Sequence, residues 1–407
     1  MGIYDTRPLK TKDIKATVPG SKSITNRALL IAALSEGTSV LHGVLFSDDS
    51  RHFLKALEDL GFELNIDEKN KSVRVVGQGG EIPKKNGTIY VGSAGTAARF
   101  LTAMLGLSEG EYVINASEQM KKRPMKPLFD VLKSMGSEIV FLEEENALPV
   151  KIKGCKATNK ERVSLDISKS TQFLSALMMI GCMCKEGLEV AITSEKKTGS
   201  YIDITRNMVE EFGGKIDFDG QVYFIEPKLY SIKEYQVEPD VSAACYFYGI
   251  AAIYGCKALV NNVHFDSTQG DIRFIKVLEE MGCKVSDTKQ GIEVVGPTKL
   301  RGLENVDMNN FSDQALTLAN VAIFADAPTT ISNIAHIRGQ ECDRLNAIAS
   351  NLRNMGISVD EREDSITIYP GSFHSADIET FDMDESKFLQ ILSSVENNSN
   401  HPIAKSI

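Results

Sequence analysis

Residues 53–66 read FLKALEDLGFELNI: an apolar-periodic helix, a glycine, then a short strand. Phe53, Leu54, Leu57 and Leu60 fall on one helical face, and Gly61 stands where a helix ends in a left-handed cap. The same order returns at 128–141 (LFDVLKSMGSEIVF), 207–218 (NMVEEFGGKIDF), 274–285 (FIKVLEEMGCKV) and 348–359 (IASNLRNMGISV). The capping glycines, Gly61, Gly136, Gly213, Gly282 and Gly356, are 69 to 77 residues apart. A fixed period of this length marks a repeated structural unit.

A second pattern precedes each copy: a small or polar opening, then an apolar helix. It reads GSKSITNRALLIAAL at 20–34, GSAGTAARFLTAMLGL at 92–107, SKSTQFLSALMMIG at 168–181, DVSAACYFYGIAAI at 240–253 and FSDQALTLANVAIF at 311–324. A weaker sixth opens at DESKFLQILSS, residues 384–394. Each unit therefore predicts a buried helix, a strand, an amphipathic helix and a strand pair, an α/β fold. Six units would form two domains of three. The sixth glycine would fall at about position 430 on this period, so the last unit is expected to be incomplete. Prolines at Val18-Pro19-Gly20 and Glu238-Pro239-Asp240 read as the crossings between domains. The expected division is residues 1–20 plus 240–407, with 21–239 inserted.

Composition narrows the function. A chain of 407 residues with 42% hydrophobic and 25% charged residues is that of an ordinary globular protein. Its net charge of −10 argues against a nucleic-acid partner. The opening MGIYDTRPLK lacks a signal peptide's apolar stretch, and no apolar run reaches the ~20 residues that span a bilayer. Seven irregularly spaced cysteines fit reduced thiols in the cytoplasm, and Cys182 and Cys184, with no histidine pair nearby, do not form a zinc pattern. No metal or cofactor is expected.

Local basic and polar clusters in this acidic chain point to a small anionic ligand. In GSKSITNRALL, Lys22 and Arg27 exceed what capping a buried helix requires. An anion at the positive helix end and a capped helix with solvated charges are both open readings. GSAGTAARF places Gly92, Gly95 and Thr96 before Arg99, either for tight packing or for exposed N–H groups that hold an anion. Lys121, Lys122 and Arg123 precede Pro124, which suits a first helical turn. Ser170, Thr171 and Gln172 open another helix. Asp313 reads equally as an N-cap. HIRGQECDRL packs His336, Arg338, Glu341, Asp343 and Arg344 into nine residues, an ion-pair network or a proton-transfer site.

These segments, in this order and spacing, resemble the enolpyruvyl transferases, most closely the 3-phosphoshikimate 1-carboxyvinyltransferase (EPSP synthase) branch, from about residue 8 to 380. The resemblance implies a two-domain, inverse α/β barrel-like fold of βαβαββ units that closes on substrates between its domains. It implies a reaction in which the 5-hydroxyl of shikimate 3-phosphate adds to C2 of phosphoenolpyruvate, C3 is protonated, and phosphate is then expelled. By resemblance, Lys22, Ser23 and Arg27 contact the shikimate phosphate, Lys22 also reaching phosphoenolpyruvate. Gly95 and Arg123 fall in the phosphoenolpyruvate motifs. Ser170, Thr171 and Gln172 match a phosphate-binding Ser-Ser/Ala-Gln. Tyr201 and either Thr198 or Ser200 match a serine–tyrosine pair. Asp313 matches the base for the attacking hydroxyl, Glu341 the group exchanging a proton at C3, and Arg344 an anion ligand. A monomer without nucleic-acid or membrane partners is implied.

Three departures stand out. Gln340 replaces a lysine. Asp382, Asp384 and Glu385 occupy a region where the family has Asp-His-Arg. HPIAKSI at the end resembles the family's AKSFP segment, with Lys405 as the matching lysine. These differences imply reduced turnover, with a non-catalytic ligand-binding paralogue as the alternative. The sibling UDP-N-acetylglucosamine enolpyruvyl transferase carries Lys-Asn at the first motif and an upstream cysteine loop. This chain has Lys22-Ser23 and no cysteine before Cys155.

Overall fold

The computed structural model describes residues 13–156, 161–340 and 342–379. Within them the chain forms five four-stranded sheets of one topology. In each, the first two strands run parallel and a hairpin completes the sheet antiparallel. The sheet Asn86–Tyr90, Glu111–Asn115, Val150–Lys153, Glu138–Phe141 shows the rule. Parallel neighbours need a crossover, which the buried helix Gly95–Gly106 supplies. The amphipathic helix Lys126–Ser134 then leads into the hairpin. Glu161–Leu165, Leu188–Ile192, Val222–Ile225 and Ile216–Phe218 repeat the plan, as do Val306–Asp307, Thr329–Ser332, Ile366–Tyr369 and Ser358–Glu361.

Two sheets borrow their first strand. Ile14–Ala16, which leads into the helix Lys22–Leu34, pairs instead with Lys257–Asn261. Glu234–Gln236, which leads into the helix Val241–Tyr254, pairs back with Glu36–His42. Hydrophobic clustering follows the same division. One core runs from Ile24 to Val237 and the other joins Ala16 and Val18 to residues from Val241 to Ile368. Contacts accordingly divide the chain into Gly20–Glu238 and a unit of Met1–Pro19 with Pro239–Ile407.

All five repeat glycines have positive φ, from 86° to 104°. Each closes its helix identically. Gly61 N–H donates to Glu58 O at 2.9 Å and Phe62 N–H to Leu57 O at 3.0 Å, a Schellman pair. Gly136 with Ser137, Gly213 with Gly214, Gly282 with Cys283 and Gly356 with Ile357 reproduce both bonds. The periodicity thus registers a backbone requirement that only glycine meets without strain.

One local expectation is corrected. Pro124 does not open a helix; it lies in the bend between Glu118–Lys121 and Lys126–Ser134, and Pro127 occupies the helical first turn. The sixth repeat, the acidic residues Asp382, Asp384 and Glu385, and Lys405 lie outside the described residues, as does Glu341. No helix among the described residues is long and apolar enough to cross a membrane.

Candidate active site

In the Gly20–Glu238 unit, the first turns of four helices are tied together by side chains. Asn26 Nδ2 on Lys22–Leu34 donates to Thr96 Oγ1 on Gly95–Gly106 at 2.7 Å. Arg27 Nε donates to Thr205 Oγ1 on Ser200–Glu211 at 2.7 Å, and its Nη2 to Ser175 Oγ on Gln172–Ile180 at 3.2 Å. Arg99 joins Gly95–Gly106 to Gln172 through the Gln172 Oε1. Four N-termini, each the positive end of a helix, are thereby gathered at one end of the unit.

None of the four is capped by its own N-cap side chain. Ser21, Ala94, Thr171 and Gly199 precede them, and none makes a side-chain cap bond. Two of the three outer helices behave differently: Ser47 forms a capping box and Ser117 accepts from Met120 N–H, while Lys126–Ser134 has no side-chain cap. Of the two open readings of GSKSITNRALL, the capped helix is therefore not supported by a Ser21 side-chain cap. Uncapped N–H groups are ready anion ligands.

Arg27 is the centre of this end. Its side chain is 1% exposed, and its remaining donors reach Ser23 O at 2.8 Å and Tyr201 O at 3.3 Å. The guanidinium lies 5.3 Å from the Phe100 ring centroid and 5.8 Å from that of Tyr201. All its hydrogen-bond partners are neutral, and it makes no ion pair among the described residues. Burial lowers its pKa to about 10. A desolvated, unpaired charge of this kind is costly, and a bound anion would offset the cost.

Lys22 stands at the helix start, with Nζ 3.2 Å from Asp49 Oδ2. Arg123 lies over Gly95: a Cβ there would come within 2.8 Å of the Arg123 Nη1. Among the described residues the Arg123 guanidinium also makes no ion pair and donates to Ser93 O at 3.4 Å. Its neighbour Lys121 is instead consumed by Glu118 and Glu143. A guanidinium held by one carbonyl, over a helix start without a side-chain cap, makes a second anion-seeking point. Ser170 Oγ accepts from Gln172 N–H at 3.2 Å. Thr198 is exposed, whereas Ser200 and Tyr201 form the first turn of Ser200–Glu211.

The other unit carries Asp313, Gln340 and Arg344. Asp313 sits within the 3-10 turn Ser312–Gln314, and is not the N-cap of the helix that follows. Its Oδ1 accepts from Arg344 Nη1 at 2.7 Å. The adjacent Ser312 hydroxyl is 2.8 Å from His336 Nε2. Arg338 is an ion-pair residue, bound to Asp343 at 2.9 Å and Glu361 at 3.0 Å. Gln340 Oε1 is buried without a hydrogen-bond partner among the described residues.

Sequence reading missed Asp49, Ser175 and Thr205 as members of this site, and passed over Arg99. Ser175 is the only polar residue in FLSALMMI, a signal that was available. Thr205 lies one turn beyond Tyr201, on the buried face. Arg99, 2% exposed, had been read only as the end of its loop.

Comparison with known proteins agrees with this geometry. The family model for EPSP synthase (3-phosphoshikimate 1-carboxyvinyltransferase) matches residues 9–397. The 3-phosphoshikimate 1-carboxyvinyltransferase of Trichormus variabilis is 38% identical over 378 residues, covering 92% of this chain and 88% of its own. That of Actinobacillus pleuropneumoniae serotype 5b is 40% identical over 384 residues, with the same coverages of 92% and 88%. The solved EPSP synthase of Acinetobacter baumannii superposes with a TM-score of 0.76 at 26% identity, covering 95% of this chain and 89% of that one. The chain belongs to the EPSP synthase (3-phosphoshikimate 1-carboxyvinyltransferase) family.

Proposed function

We propose that the chain transfers the enolpyruvyl group of phosphoenolpyruvate to the 5-hydroxyl of shikimate 3-phosphate, releasing inorganic phosphate. One observation carries the reading: four helix starts, none capped by its own N-cap side chain, are gathered around Arg27, a buried cation that makes no ion pair among the described residues. Two phosphorylated carboxylic acids are the ligands such a concentration of positive potential suits. Lys22, Ser23, Arg27, Ser170, Thr171, Gln172 and Tyr201 bind shikimate 3-phosphate, with Ser200 preferred to the exposed Thr198 as the hydroxyl beside Tyr201. Gly95, Arg123 and Lys22 bind phosphoenolpyruvate, and Arg344 and Gln340 add polar contacts. Lys405 completes the set by its resemblance to the family lysine.

The chemistry is an addition followed by an elimination. Asp313 takes the proton of the 5-hydroxyl as its oxygen bonds to C2 of phosphoenolpyruvate. Glu341 delivers a proton to C3, giving a tetrahedral intermediate. Loss of a C3 proton then restores the double bond as phosphate leaves C2 with the electrons of its C–O bond. Fixed cations stabilise the charge that develops on the departing phosphate. The steps exchange only protons and C–O bonds, so the proposal invokes no cofactor. It places the enzyme in the cytoplasm, acting as a monomer whose domains are residues 1–20 plus 240–407 and 21–239.

Steady-state phosphate release tests this reading. Phosphate should appear only when both substrates are present. Calorimetric binding of shikimate 3-phosphate without phosphate release would mean a non-catalytic ligand-binding protein instead.

A further inference from the structure

Asp271 is a buried carboxyl that the reaction as described does not use. It lies in the 3-10 turn Gly270–Ile272 and is 6% exposed. Ser242 Oγ donates to its Oδ2, and the Gln314 side chain adjoins the carboxyl, the turn Ser312–Gln314 packing against the turn Gly270–Ile272. Ser242 belongs to the first turn of the helix Val241–Tyr254, and Gln314 immediately follows Asp313. Cys245, on the same helix, donates its thiol to the Asp271 carbonyl at 3.6 Å. Gln314 is fixed from its other side, its Oε1 accepting from Thr317 Oγ1 at 3.0 Å. The turn that carries Asp313 is therefore packed on the turn of Asp271, whose carboxyl holds the helix start.

We propose that Asp271 is a positioning residue for Asp313, anchoring the turn Ser312–Gln314 and strengthening Asp313 as a base when Asp271 is itself ionised. The inference rests on the reading of Asp313 as the proton acceptor. The groups facing Asp271 are Asp240 and Cys245 from the helix Val241–Tyr254, and Asp313 from the turn, itself paired with Arg344. Burial, then the like charge of Asp313 and of Asp240, raise the Asp271 pKa to about 7, against the Ser242 hydrogen bond and the adjoining Gln314 side chain, which favour the ionised form. At lower pH the carboxyl is neutral and acts only as an anchor. At higher pH its charge makes removal of the substrate proton by Asp313 more favourable.

The Asp271→Asn variant isolates the charge, since the amide keeps the Ser242 hydrogen bond once that hydroxyl turns to accept. The wild-type to variant ratio of kcat should be near one at low pH. It should climb about three- to tenfold between roughly pH 6 and pH 8. The KM for phosphoenolpyruvate should stay unchanged. Ser242→Ala keeps the carboxyl but removes a donor to its charged form, so the wild-type inflection should move to higher pH. It serves as the test should Asp271→Asn fail to fold. A ratio independent of pH, or an inflection unmoved in Ser242→Ala, overturns the proposal. Failure of the transferase reading is distinct, because the wild-type chain would then release no phosphate at any pH.

Discussion

Arg27 and Gly95 allow the sharpest single-residue tests. Arg27 spreads its donors over its own helix and two neighbouring ones, a fork that lysine cannot reproduce. Arg27→Lys should weaken shikimate 3-phosphate binding about 10- to 100-fold, the equivalent of one charge-assisted hydrogen bond, as read by calorimetry. Gly95→Ala has a different target. Its Cβ would meet the Arg123 guanidinium at 2.8–2.9 Å, the mobile end of a long side chain, so the fold should tolerate it. The KM for phosphoenolpyruvate should rise while the affinity for shikimate 3-phosphate and the Tm stay unchanged. A rise in both constants would mean that Arg123 serves both ligands. Lys22 and Arg27 were legible in the sequence because a buried helix has no structural use for two cations at its start. Ser175 and Thr205 were not read out, because a single hydroxyl in an apolar run also suits plain packing. The Arg344–Asp313 pair joins residues 31 positions apart on separate elements, a distance no local pattern encodes.

The five glycine-capped helices were readable for a backbone reason: φ near +90° leaves almost no alternative residue. Gly213 tests this cleanly, with φ of 88° and no heavy atom within 4 Å of an added Cβ. Gly213→Ala should destabilise the protein by about 1–2 kcal/mol in denaturant unfolding, from backbone strain alone. Gly213→Asn should recover part of that, since asparagine enters the left-handed region more readily. Equal stability of all three would mean the cap geometry is not what the repeat selects. The exchange of first strands was not legible. Ile14–Ala16 and Glu234–Gln236 are three residues each, too short to show a period, and their partners are fixed by which sheet edge lies alongside. Pro124 was misassigned because a proline after basic residues suits both a first turn and a bend, and Pro127 takes the helical place.

Each unit has its own hydrophobic core, so local stability should respond to ligands unit by unit. Shikimate 3-phosphate should slow amide hydrogen exchange most at the starts of Lys22–Leu34, Gly95–Gly106, Gln172–Ile180 and Ser200–Glu211. Uniform slowing throughout the Gly20–Glu238 unit would contradict the placing of the ligand at those helix ends. The central claim is that one chain both binds two phosphorylated acids and moves an enolpyruvyl group between them. Proton and phosphorus NMR of a reaction run in deuterium oxide tests it most directly. Because C3 of phosphoenolpyruvate is protonated and later deprotonated, the account predicts three signals rising together. They are inorganic phosphate, an equimolar enolpyruvyl ether at the 5-oxygen of shikimate 3-phosphate, and deuterium in its methylene group. Unchanged substrates, or phosphate and pyruvate formed with shikimate 3-phosphate left intact, would contradict it.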